Sequence, residues 1–420
     1  MSAEKRGASD NKTSFNLRIK EGGFSAHGMF PDFEPQDISP EYNRLLLNVR
    51  LDGGISARGG KTEIIDLSGG AYDENVSGLN DFQIGTQRSL IMVSAGCPGF
   101  SPSAGFFIGT YDTEQNPPFQ RLTYYPSAST PGLFTRYGDD IFFSVDDKLM
   151  RLRPITPPYG LEALDISGVS QETEMWTVPS GYSSITAMIE HDGDLYIAIK
   201  GTVTTNSAIY RYDGVTFTKE IGSIQPITGF AKFRELLVAG HDGSGTNLLR
   251  LRSEAGVWST VAPGSGTVAM IQNNSASYKD KLYVPNCLGS IYSYDGTALT
   301  EIPFGTTGIG ATGICKAVDV AYGYLYFSWY DPSVVKVGTF DGTTWTPGHK
   351  NLTSQFSLAA GQLTETIRFY RGDIVVSVGV TGVAEIPRLL FSPRENTSGT
   401  WTSVNISTGI VVKILHLGVY

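Results

Sequence analysis

Cysteine is nearly absent from this chain. Three occur in 420 residues, Cys97, Cys287 and Cys315, far apart and with no C-x-x-C pair. Neither a zinc ribbon nor a disulfide scaffold can be built from such a set. What it leaves is three buried thiols in a reducing compartment. Histidine is also scarce: His27, His191, His241, His349 and His416 are scattered, so the clustered ligands of a metal centre are missing. Charged residues make up only 17% and the net charge is −9, which argues against sequence-independent binding to a nucleic-acid backbone. No run of 18 apolar residues occurs, so no membrane span is expected. The opening "MSAEKRGASDNKTSFNLRIK" lacks the apolar centre of a secretory signal, and synthesis in a cytoplasm is expected. The Gly-rich "AGHDGSGTN" at 239–247 has no G-K-[ST] ending, and neither a G-x-S-x-G elbow nor a calcium loop is present. No cofactor is implied.

What the chain does contain is glycine, 49 residues, with 21 Tyr and 21 Phe. Many short strands joined by Gly-bearing turns produce that profile. A repeat organises them. Apolar bursts recur as "SLIMVSA" (89–95), "DIFFSV" (140–145), "DLYIAI" (194–199), "LLVAG" (236–240), "KLYVP" (281–285), "YLYFSW" (324–329) and "DIVVSV" (373–378). An apolar residue followed by Thr or Ser is a second marker, at Trp176, Phe217, Trp258, Leu299, Trp345 and Trp401. Its first three intervals are 41 residues each. Alternation has period two throughout, and no dozen residues hold a 3.6 period.

Four strands per unit of 40–50 residues are the pattern of a β-propeller. The fold class predicted is all-β: a propeller of about seven four-stranded blades, with six or eight as alternatives, preceded by an extended N-terminal arm. Residues 1–60 form the arm and a connecting strand, and 61–420 the propeller. Unpaired strand edges press such a ring to close. The C-terminal "TGIVVKILHLGVY" (408–420) is expected to close it, beside "KTEIIDLSG" (61–69) or "GLNDFQIG" (78–85).

Three units carry the pattern D-G-x-x-apolar-T: Asp213-Gly214, Asp295-Gly296 and Asp341-Gly342. Asp-Gly suits a tight turn between the third and fourth strands, because Gly accepts positive φ and Asp bonds nearby backbone. Trp176, Phe217, Trp258, Leu299, Trp345 and Trp401 then read as inter-blade packing residues. The turn pattern is similar to the Asp box of sialidase-like propellers, but one residue shorter between Asp and the aromatic. The "HDG" copies at His191 and His241 read as turns, and so does "RGD" at 371–373. Arg151, Arg153, Arg211, Arg250 and Arg252 fall on third strands, where they would line a rim and lay their stems over apolar neighbours.

Residues 21–44, "EGGFSAHGMFPDFEPQDISPEYNR", are rich in Phe and Pro, too apolar to stay solvated and unsuited to regular structure. Such a segment lies across a surface, that of its own ring or of a neighbouring subunit. Phe24, Phe30, Phe33, Tyr42, Arg50 and Arg58 are its candidate partner-binding residues. An arm, then "LDGGISARGGKTEI" (51–64), then a propeller with "FDGTTWT"-type turns resembles tail or virion structural proteins of tailed bacteriophages, in particular the nozzle or tail hub of short-tailed phages. The resemblance implies a non-enzymatic virion component, made in the host cytoplasm. It also implies a homo-oligomeric ring around a DNA conduit, with adaptor, portal or tail proteins as partners and no specific nucleic-acid contacts. The alternatives are a carbohydrate-binding or adhesion propeller and, with no motif in support, a glycoside hydrolase.

Overall fold

The computed structural model describes residues 133–155 and 175–380, apart from 204, 242–247, 265–267, 271–273, 287–289, 311, 357–359 and 371–372, together with the strands named below elsewhere in the chain. The chain divides into two compact units, 63–391 and a second formed by 1–62 with 392–420.

The larger unit is a β-propeller, and seven blades are found among its described residues. Blade 1 runs Val76–Phe82, Leu90–Gly96, Phe106–Tyr111, Phe119–Tyr125. Blade 2 has Phe134–Tyr137, Asp140–Val145 and Lys148–Ile155, the last flanked by both Gly160–Leu164 and Trp176–Thr177. Blade 3 is Tyr182–His191, Asp194–Gly201, Ser207–Tyr212, Phe217–Ile224, and blade 4 is Ile227–Phe233, Leu236–His241, Leu249–Arg252, Trp258–Val261. Blade 5 is Ala276–Tyr278, Lys281–Pro285, Ile291–Tyr294, Leu299–Ile302, and blade 6 is Ile314–Ala321, Tyr324–Asp331, Val334–Phe340, Trp345–Asn351. Blade 7 takes Gln362–Tyr370, Asp373–Val380 and Arg388–Ser392 from the end of the repeat, and Thr62–Asp66 from its start. First strands of successive blades neighbour one another, and that of blade 7 neighbours that of blade 1, so the ring is closed.

The closing strand is therefore not the expected one. Within 408–420 the described strand is Leu415–Leu417; it pairs with Gly399–Ser403, which pairs with Asn43–Leu47 in a sheet of the other unit. "KTEIIDL" and "TGIVVKILHL" carry the same alternation, so pattern alone gave no ground to choose between them. The same finding corrects the boundary, since 392–420 groups with the N-terminal residues rather than with the ring.

Burial follows position in the blade. Second strands are covered on both faces, as in Asp194–Gly201 and Leu236–His241, because blades pack on either side. Outer strands such as Trp258–Val261 are half-exposed. The core is a series of layers between blades. Phe142, Met188 and Ile197 meet between blades 2 and 3, and Ala187, Tyr196 and Phe230 between blades 3 and 4. Phe233, Leu282 and Tyr292 lie between blades 4 and 5. Val318, Phe327 and Ile291 lie between blades 5 and 6, and Tyr326, Ile367 and Val376 between blades 6 and 7.

Candidate functional site

The Asp-Gly pairs join third to fourth strands in blades 3, 5 and 6. Asp213 Oδ1 accepts the N–H of Val215 at 2.8 Å and of Thr216 at 2.7 Å, while Oδ2 accepts the Thr216 hydroxyl at 2.8 Å. Asp295 Oδ1 does the same with the N–H groups of Thr297 and Ala298, both at 2.8 Å. Asp341 repeats it with Thr343 at 2.7 Å and Thr344 at 2.8 Å. The following glycines have φ of 95°, 105° and 99°, a region closed to most side chains. These N–H bonds hold the carboxyls of Asp213 and Asp295 at about 2 and that of Asp341 below the usual range. Every described acceptor contact of these carboxylates is to its own turn.

The aromatics at the second marker pack internally. Phe217 stacks on Tyr212 at 4.3 Å, and Trp345 on Phe340 at 4.1 Å. Leu299 is buried between blades 4 and 5, and Trp258 packs against the layer between blades 3 and 4. Trp176 is not equivalent to Phe217. It pairs with Leu149, near the start of its third strand, whereas Phe217 pairs with the last residue of its own. It stacks instead on Phe217 of the next blade at 4.6 Å. Trp401 also departs from the expected position, since Gly399–Ser403 belongs to no blade. Phe30, Phe33, Tyr42 and Arg58 of the expected arm lie outside the described residues. Phe24 falls in strand Gly23–Ser25 and Arg50 in Val49–Arg50.

Three third-strand arginines pair within their own blades, and a fourth reaches the blade before it. Arg151 and Arg153 reach Asp140 at 3.6 and 3.0 Å. Arg211 bridges Asp194 and Glu220, both at 3.0 Å, and Glu220 also takes Arg252 of blade 4 at 3.1 Å. Arg252 is buried and lies over the Tyr196 ring at 5.0 Å. Burial pushes the Tyr196 hydroxyl up to about 12. His191, buried beside Asp192 at 3.0 Å, is held below the usual imidazole value mainly by burial. His241 Nδ1 lies 3.0 Å from the Pro226 carbonyl. Burial pushes the Cys315 thiol up to about 12; Cys97 and Cys287 lie outside the described residues. Among the described residues no group of three or more His, Cys, Asp or Glu could hold a metal ion. No described helix is long and apolar enough to cross a membrane.

Where the first strands converge, charge is organised in a way the sequence reading did not single out. Going round the ring, blades 1 to 4 contribute Asp81, Arg136, Glu190 and Lys232, blade 5 contributes Ser277, and blades 6 and 7 contribute Asp319 and Arg368. Signs alternate from blade to blade. Seven positions cannot alternate without placing two like charges side by side, and the neutral Ser277 removes that conflict. Lys232 Nζ meets Glu190 at 2.9 Å. Burial opposes ionisation of Glu190, but the hydrogen bond and charge of Lys232 outweigh it and hold its carboxyl below the usual range. Asp319 accepts the N–H of Val320 at 2.8 Å and, across to blade 7, of Phe369 at 3.0 Å. Burial raises the Asp319 carboxyl and lowers the Arg368 guanidinium, each offset in part by the other's charge. A cavity of about 410 Å³ opens among Asn80, Asp81, Lys232, Ser277, Asp319 and Arg368, beside another of about 260 Å³ at Arg136 and Glu190. In blades 1 to 4 the signal for this collar was one Asp, Glu, Lys or Arg near the end of each first strand, alternating in sign; the first strands of blades 6 and 7 each carry a second charged residue, Lys316 and Glu365, which hides the pattern.

No family model matches the chain, and no curated protein matches it. Solved structures do. Virginiamycin B lyase from Staphylococcus aureus superposes with a TM-score of 0.51 at 13% identity, over 78% of this chain and 98% of that one. The WD40 β-propeller domain of Doa1 gives 0.50 at 12%, over 79% and 97%. The WD40 repeats of RRP9 give 0.50 at 12%, over 78% and 96%. At such identities the likeness establishes the β-propeller fold and nothing finer.

Proposed function

We propose that this protein is a non-enzymatic structural component of a tailed-phage virion, a nozzle, hub or neck protein that assembles into a ring with copies of itself and binds adaptor, portal or tail proteins. The observation that carries the reading is the division of the chain. Both termini, 1–62 and 392–420, leave the blades and form a unit of their own. A propeller needs no such unit to close, since Thr62–Asp66 already does so. A second unit containing the Phe-rich segment is what an assembly module requires.

The collar refines the conduit reading. Three acids against three bases balance the charge of the collar. The DNA path of the assembly would run between protomers, and the net charge of −9 would be spent on that wall, where it repels phosphate. The stacked positions of Trp176 and Trp345 favour packing over sugar binding for those two rings. Negative-stain imaging of the isolated full chain tests the proposal. Closed rings of protomers are expected; a field of single propellers at micromolar concentration would overturn it.

A further inference from the structure

The turns joining first to second strands at one mouth of the channel place a residue at positive φ: Gly138, Asp192, Arg234, Lys279 and, in blade 6, Tyr322 at 52°. Gly, Asn and Asp are the residues this conformation favours. Tyr322 is the one aromatic held so among the described residues, and its side chain is exposed. Tyr324, two residues on, is exposed too. Backbone cost accepted to present a ring to solvent points to a role for the ring. Tyr322 meets the Phe369 ring at 6.0 Å, and Phe369 is a wall of the 410 Å³ cavity.

Arg368 lines the same cavity at 9% exposure. Its Nη1 donates to the Ile367 carbonyl at 2.6 Å, and its guanidinium, with the carboxylates of Asp319 and Asp81 near it, forms part of the polar wall. The lining balances Lys232 and Arg368 against Asp81 and Asp319. A charged guest would upset that balance. A guest whose groups both donate and accept would not. The volume falls in the range of small-ligand sites.

We propose that this mouth binds a short neutral saccharide, its hydroxyls on Arg368, Asp319 and Asn80 and a pyranose face on Tyr322 and Tyr324. The site is independent of assembly, and oligomeric state recorded on the same sample separates the two claims.

The test is saturation-transfer NMR on the full chain with maltose, lactose, cellobiose and diacetylchitobiose at millimolar concentration. At least one should receive saturation. Tyr322→Asn places a residue suited to positive φ in the turn. It should weaken that binding tenfold or more while leaving Tm unchanged or higher. Tyr324→Ser, at an exposed position, should weaken it as well and serves if the first variant fails to fold. No transfer to any of the four sugars would overturn the proposal. So would undiminished binding in both variants, or a fall in Tm for Tyr322→Asn, which would make its ring a packing element.

Discussion

Asp213 and Asp295 show how one side chain can specify a hairpin. Each carboxylate collects two N–H groups of its own turn, and the next residue must be Gly. Their folded values near 2 lie below the ordinary 3.8, so their contribution is present above about pH 4 and lost as pH falls toward 2. The double variant Asp213→Asn/Asp295→Asn keeps the acceptors and removes the titration. Its urea midpoint should vary less between pH 4.5 and 2 than that of the parent. Asp319 has the opposite sign. Its raised folded value makes its contribution fall as pH rises above 3.8. Asp319→Ala leaves the N–H groups of Val320 and Phe369 without their acceptor and should cost about 1–3 kcal/mol in denaturant unfolding. The Asp-Gly turns were legible in the sequence because their signal is local. Asp319 and Arg368 were not, because only the closed ring brings residues 49 positions apart together.

Each blade is a four-stranded element whose second strand must be apolar on both faces, and this is why seven bursts could be read in order. Close approach within blade 6 gives a direct check. Phe327 lies against Gly338, and a methyl group there would overlap its ring. Gly338→Ala should cost about 1–3 kcal/mol in thermal or urea unfolding. Spacing misled where elements were interrupted. The outer edge of blade 2 is made by two short pieces, so Trp176 matches the 41-residue interval but sits at the other end of its strand line. Trp401 keeps the local motif and lies in another sheet altogether. Neither displacement leaves a local trace, since strand pairing is a long-range choice.

For the larger unit as a whole, closure by Thr62–Asp66 joins the start of the repeat to its end. Two adjacent prolines there, Ile64→Pro/Ile65→Pro, remove an N–H on either side of the strand and should lower the main unfolding transition. Prolines at Leu415 and His416 should leave that transition in place. A calorimetric scan reversing this order would return closure to the C-terminal strand. For the whole molecule, the central claim is assembly through residues outside the ring. Its most direct measurement is mass photometry of the full chain beside the Phe30→Ser/Phe33→Ser variant. The expected result is a discrete oligomer for the parent and a shift to the 45.4 kDa monomer for the variant. A parent chain that is itself monomeric at every concentration, or a variant that keeps the parent's oligomer, would contradict it.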